Sequence, residues 1–219
     1  MTAQPGLRDP HGGQPIMQHG VALDTARAVV VLLHGRGSAA EEMLGLAGEL
    51  PQANIAYLAL QAAGNTWYPH RFLEPLARNE PFLGSALRAV GRAVALATTA
   101  GVPADRIVLL GFSQGACLVV EWAARNAQRL GGVVGLSGGL IGPDDATRTY
   151  PGDLAGTPVF LGCSDHDSHI PKQRVLDTGA ILQRMGAATA LRLYPRMGHT
   201  INEDELAWVR ELLTQITTD

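Results

Sequence analysis

The sequence predicts an α/β fold, a mostly parallel sheet with helices packed on its faces. Three observations predict it. Short, unbroken apolar runs recur along the chain, at Ala28–Leu33, Ile55–Leu60, Arg106–Leu110, Gly132–Leu136, Pro158–Leu161 and Ala190–Tyr194. Runs of this length fit strands buried on both faces, as in a parallel sheet. Between them lie apolar stripes of helical period, Leu83, Leu87, Val90 and Val94 and then Leu206, Val209, Leu213 and Ile216, each confined to one helix face. Strand and helix alternate, the pattern of a sheet wrapped by helices.

Taken in order, residues 1–14 carry Pro, Gly, His and Gln without an apolar run and read as a flexible leader. The first twenty residues, which hold no continuous apolar run, read as neither a secretory signal nor a membrane span. Residues 15–219 read as one domain, a length that suits a sizeable core. Residues 61–82 break the rhythm with a long aromatic segment holding three prolines. An ordered loop of that length usually has a function. Its Trp67, Tyr68 and Phe72 are candidates to line a substrate pocket; the alternative is that they pack the loop onto the body. Residues 116–124 read as a helix following the Arg106–Leu110 strand.

Composition narrows the function. Apolar residues make up 46% and charged residues 17%, with a formal net charge of −3. This is a globular composition, and no strong field favours nucleic acid or an anionic membrane. A cytoplasmic location follows as the default. Cys117 and Cys163 sit in apolar stretches and read as buried free thiols. Glycine reaches 26 residues, about 12% against a typical ~7%, which points to many tight turns and close backbone approaches.

Two segments match G-x-S-x-G: Gly111-Phe112-Ser113-Gln114-Gly115 and Gly135-Leu136-Ser137-Gly138-Gly139. The motif works as a sharp strand-to-helix turn with the serine exposed at its tip. Ser113 follows a strand and precedes a helix, so it is the candidate nucleophile. Ser137 is followed by Gly-Gly and then Gly142-Pro143, which cannot start a helix cleanly, and it reads as a turn. A serine hydroxyl needs a base. His199 lies just after the last strand and before the last helix, where such a fold supplies one. A carboxylate between the two must hold its tautomer, and Asp165 and Asp167 both follow the Pro158–Leu161 strand. Pro171, suited to the first turn of a helix, anchors the end of that loop. Counting back from it favours Asp167, with Asp165 the alternative. For the oxyanion, the backbone N–H groups of Gln114, after the nucleophile, and of Arg36, in His34-Gly35-Arg36-Gly37, are the candidate donors. His34 itself reads as a hydrogen-bonded turn histidine. The run Asp165-His166-Asp167-Ser168-His169 holds ligand-type residues, but adjacent residues rarely converge on one ion, and no metal site is assigned.

Together these residues resemble the phospholipase/carboxylesterase family of α/β-hydrolases, the group holding bacterial carboxylesterases and acyl-protein thioesterases. The resemblance runs from about Gly20 onward. It rests on Leu33–Gly37, Trp67-Tyr68-Pro69, Gly111–Ala116, Asp167–Pro171 and Met197-Gly198-His199. It implies an α/β-hydrolase without a large cap domain, needing no cofactor, often a homodimer, with Ser113, Asp167 and His199 as its triad. The expected reaction is hydrolysis of short- to medium-chain carboxylic esters through an acyl-enzyme, on small-molecule substrates, without stable membrane insertion. A lysophospholipase or acyl-thioesterase is the alternative within the enzyme class. A catalytically silent binding module on the same fold is the alternative outside it.

Overall fold

The structure is a computed structural model describing residues 9–218. The apolar runs form six strands of a seven-stranded sheet. In chain order the strands are β1 (Ile16–Gly20), β2 (Ala28–Leu33), β3 (Ile55–Leu60), β4 (Ile107–Phe112), β5 (Gly132–Leu136), β6 (Pro158–Ser164) and β7 (Ala188–Tyr194). The helices are α1 (Ala40–Ala47), α2 (Leu76–Asn79), α3 (Phe82–Thr99), α4 (Gln114–Arg125), α5 (Lys172–Arg184) and α6 (Glu203–Thr218). The spatial order is β1-β3-β2-β4-β5-β6-β7. All neighbours are parallel except β1, which runs antiparallel to β3.

Every residue of β2, β3 and β5 is buried, because both faces of the sheet are covered. Alternate side chains point to opposite faces. Val29, Val31 and Leu33 join a core with residues of α3, α4 and α5, while Val30 and Leu32 join a second core with α1 and α6. This is the α/β-hydrolase architecture without a large cap. The buried free thiols Cys117 and Cys163 match expectation. Among the described residues no helix is long and apolar enough to cross a membrane.

Several expectations need correction. β1, with the sequence IMQHG, is an edge strand half open to solvent, so it lacks the apolar run that marks a central strand. β7 reads as buried on both faces in the sequence, yet it is the opposite edge and is mostly half-buried or exposed. The leader expected over 1–14 lies outside the described residues up to residue 8. Its remainder is not free. Asp9 pairs with Arg88 and Arg92 on α3, and His11 is buried. Its N–H donates to Ser85 Oγ at 2.8 Å. Its ring accepts the Ala63 N–H through Nδ1 at 3.0 Å and donates from Nε2 to the Trp67 carbonyl at 3.0 Å.

Candidate active site

The site gathers at the carboxyl ends of the parallel strands, the usual place for ligands in such sheets. Its centre is the turn from β4 into α4. Gly111 and Gly115 are both forced by close backbone approach. A Cβ on Gly111 would lie 2.3 Å from the Gly115 carbonyl, and one on Gly115 would lie 2.2 Å from the Leu33 carbonyl oxygen. With strand and helix so close, the residue between them must turn sharply. Ser113 takes φ 54° and ψ −115°, a sparsely populated conformation for a residue with a Cβ. Its N–H is held by the Leu136 carbonyl at 2.9 Å.

Ser113 Oγ lies 2.8 Å from His199 Nε2, and His199 Nδ1 lies 2.7 Å from Asp167 Oδ2. The three groups form one hydrogen-bonded line. With Nδ1–H donated to the carboxylate, Nε2 is free to accept the serine proton. Burial opposes ionisation of Asp167, but hydrogen bonds from His199 and from the His169 and Ile170 N–H groups outweigh it and hold the carboxyl below its ordinary range. Asp165 lies apart. Its Oδ1 accepts the Arg196 N–H at 2.7 Å and faces His166 Nδ1 at 2.8 Å. Asp165 therefore closes the turn that leads to His199 and does not touch the imidazole. The His199 ring is flanked by Phe112 and His169, at centroid distances of 5.0 and 4.7 Å.

Gly35 packs on Ser113 from the other side. A Cβ there would lie 3.2 Å from the Phe112 ring and 3.4 Å from Ser113 Cβ, so the backbone of the next residue, Arg36, borders the reaction centre. Gln114 opens α4, where N–H groups lack intrahelical partners and the helix end favours negative charge. The His34 ring donates from Nδ1 to the Gly35 carbonyl at 2.7 Å and accepts the Ala62 N–H through Nε2 at 3.1 Å. Burial, against those hydrogen bonds, holds the His34 and His11 imidazoles below the ordinary histidine range.

A cavity of about 630 Å³ opens beside Ser113, lined by Tyr68, Phe72, Gln114, Ile170 and the exposed Arg36 and Arg71. A second groove, which shares Phe112 and His199 with the cavity, is lined by Glu42, Met43, Leu46, Glu49 and Ile201. Tyr68 and Phe72 thus lie at the expected pocket. Trp67 does not. It is fully buried beneath the pocket, between the His11 and His34 rings at 5.4 and 5.1 Å, with Nε1–H donated to the His34 carbonyl. For Trp67 the packing alternative holds. Cys117 also borders the cavity, but burial pushes its thiol, and that of Cys163, up to about 12, so neither is a ready nucleophile. Sequence reasoning missed His169, Ile170, Phe112 and Arg71 as cavity neighbours. His169 and Ile170 follow directly from the Asp167–Pro171 segment; for Arg71 no sequence signal exists. Among the described residues no three His, Cys, Asp or Glu side chains gather as a metal site.

Comparison with known proteins places the fold. The phospholipase/carboxylesterase family matches residues 21–217. A crystal structure described as a phospholipase/carboxylesterase from Dyadobacter fermentans superposes with a TM-score of 0.89 at 40% identity, covering 95% of this chain and 100% of that one. An acyl-protein thioesterase 1 of Gibberella zeae is 32% identical over 122 residues, 52% of this chain and 49% of that protein, so the match spans about half its length. The acyl-protein thioesterase 1 of Yarrowia lipolytica is 30% identical over 161 residues, 65% of this chain and 70% of that protein. Fold, turn geometry and these matches agree: the chain belongs to the phospholipase/carboxylesterase family of α/β-hydrolases.

Proposed function

We propose that the protein is a serine hydrolase that cleaves carboxylic esters of short to medium acyl chains, with Ser113 as nucleophile, His199 as base and Asp167 as the group that orients it. The observation that carries the reading is the hydrogen-bonded line Asp167–His199–Ser113, at 2.7 and 2.8 Å, on the wall of a cavity.

The steps follow from that line. Ser113 Oγ attacks the ester carbonyl while His199 Nε2 takes its proton. The carbonyl oxygen becomes an oxyanion facing the N–H groups of Arg36 and Gln114, and the positive end of α4 adds to their effect. Asp167, ionised, stabilises the imidazolium without taking its proton. His199 then protonates the departing alcohol, and an acyl-enzyme remains. Water, deprotonated by the same imidazole, attacks it and restores the serine.

The cavity volume, about 630 Å³, lies in the range of small-molecule pockets and admits a simple ester. Thioester cleavage is the second reading, supported by the relatives named acyl-protein thioesterases; the same acyl-enzyme serves both. The experiment is a hydrolysis panel of oxygen esters and thioesters of graded acyl length, run with and without a chelator. We expect Ser113-dependent turnover highest on short to medium oxygen esters and unchanged by chelation. Preference for long-chain thioesters would establish the second reading. Loss of rate on chelation, restored by zinc, would overturn the proposal.

A further inference from the structure

The residues proposed as oxyanion donors, Arg36 and Gln114, use only their backbone N–H groups in that role. Their side chains are engaged elsewhere, and both grip the same five-residue stretch. The Arg36 guanidinium donates to three successive carbonyls, Tyr68 at 2.9 Å, Pro69 at 2.9 Å and His70 at 2.7 Å. The Gln114 amide is buried. Its Oε1 accepts the Trp67 N–H at 2.9 Å and faces Thr66 Oγ1 at 3.3 Å, and its Nε2 donates to the Tyr68 carbonyl at 2.8 Å. The Tyr68 carbonyl therefore receives one bond from each and ties the loop after β2 to the start of α4. These two segments otherwise belong to different strands, and their spacing sets the distance between the two N–H groups.

We infer that Arg36 and Gln114 are positioning residues, whose side chains brace the oxyanion hole through the Tyr68 carbonyl. The inference rests on the hydrolase reading above. Donors add most to catalysis when already aimed at the developing charge, so a brace of this kind acts in the transition state and little in substrate binding. A guanidinium is suited to it. Its planar fork presents several donors in fixed directions, enough to hold three carbonyls at once. The Trp67 indole reinforces the arrangement through its bond to the His34 carbonyl, one residue before Gly35.

The test compares Arg36→Leu, Arg36→Lys, Gln114→Met and the Arg36→Leu/Gln114→Met pair. Each keeps its backbone N–H groups. The readouts are kcat and KM on a neutral short-chain ester, and inhibition by an alkyl trifluoromethyl ketone. Ser113 Oγ adds reversibly to that ketone, its proton passing to His199 and the ketone oxygen becoming the oxyanion. We expect kcat to fall about 10- to 100-fold in Arg36→Leu and in Gln114→Met with KM changed less than about twofold, short of the ~10²–10³-fold loss of a deleted donor. The ketone should weaken by the same factor as kcat/KM. Arg36→Lys, which can hold one carbonyl, should fall between. The double variant should lose little more than either single one, since either change frees the same bridge. Thermal midpoints exclude simple unfolding, and Arg36, being exposed, is the safer variant. The brace is overturned by a lowered midpoint with unchanged kinetics, by a loss confined to KM, or by single losses that multiply. If the wild type shows no turnover that Ser113→Ala abolishes, the hydrolase reading falls, and the brace with it.

Discussion

Two turns of this molecule share a sequence pattern, a positive φ at the serine and a place in the sheet, and only one opens onto a cavity beside an imidazole. β4 and β5 are adjacent parallel strands with Phe112 opposite Leu136. The serine after each takes φ 54°. Each donates its N–H to the next strand over, Ser113 to Leu136 and Ser137 to Gly162. The difference lies in the residues after each serine. From Ser113 the chain enters α4 directly and leaves the hydroxyl in the mouth of a cavity, within reach of His199. After Ser137 come Gly138, packed so close that a Cβ would lie 2.5 Å from that of Ala116, and Gly139, likewise confined by Thr178 and Arg174. No helix begins there, and Ser137 is sealed in the core. The positive-φ serine is thus common to the ends of β4 and β5. What sets the Ser113 turn apart is the helix start, the opening and the neighbouring imidazole.

The largest effect should come from the two serines themselves. Ser113→Ala should abolish turnover, a loss of ~10⁶-fold in kcat by the measure of serine proteases, whereas Ser137→Ala should leave the rate near wild type. A fluorophosphonate should label Ser113 alone. Label surviving in Ser113→Ala would erase the distinction between the turns.

Next come the two aspartates. Asp167→Asn should lower kcat by up to ~10⁴-fold through the wrong imidazole tautomer. Asp165→Asn should cost little kcat and some stability, because Asp165 closes the turn at Arg196. The reverse ranking in steady-state kinetics would mean that the imidazole partners change in solution.

Under the Ser113 turn lies Trp67, whose N–H bonds Gln114. Trp67→Ala should cost about 3–5 kcal/mol of stability, as for a large core aromatic, while the ranking of acyl lengths among residual activities stays as in wild type. Phe72→Ala, on the cavity wall, should instead shift preference by a carbon or two, since one methylene is worth only ~1–3 kcal/mol. A chain-length shift in the Trp67 variant would return that residue to the pocket.

The smallest effect belongs to the Ser137 side. Glu205 is buried against Gly162, whose carbonyl holds Ser137. It also completes a reciprocal cap with Asn202: the Asn202 N–H donates to its Oε2 at 2.8 Å, and its own N–H donates to Asn202 Oδ1 at 3.0 Å. Burial, only partly offset by that bond, raises its carboxyl from 4.5 to about 7. The folded state then binds more protons than the unfolded one between those values, so stability is full below about 4.5 and lost as pH rises through 7. Glutamine keeps the cap without the charge. Glu205→Gln should therefore gain a few degrees over wild type above pH 7 and nothing near pH 4, given ~2–4 °C per kcal/mol at this size. Parallel melting curves of the two proteins at all pH values would refute it.

How much of this was legible in the sequence depends on what each residue does. β2, β3 and β5 were plain, because a strand buried on both faces must be apolar throughout. β1 and α1 were not: an edge strand may be polar, and α1 is short, contains Gly45 and has no side-chain cap. Ser113 and His199 were legible because the turn and the last loop constrain their neighbours. The choice of Asp167 needed Pro171, since both aspartates suit the loop and only the way it folds decides which carboxylate meets the imidazole. Trp67 and Phe72 look alike in sequence and both are buried; what separates them is the cavity wall, which includes Phe72 and not Trp67. The grip of Arg36 on three carbonyls left no sequence mark, because backbone acceptors carry no side-chain signature.

His199 is mounted just beyond the least protected of the parallel strands. β7 pairs with β6 alone at the sheet's edge, and His199 follows it by five residues, while Ser113 and Asp167 follow strands with neighbours on both sides. Edge elements open locally at a fraction of the global unfolding free energy. Fraying of β7 would carry the imidazole away and leave the sheet and its spectroscopic signature in place. On warming, the protein should fall silent before it melts and regain activity on cooling, with the amide protons of Ala190 and Arg192, which face β6, exchanging well ahead of those of Leu109 and Leu110.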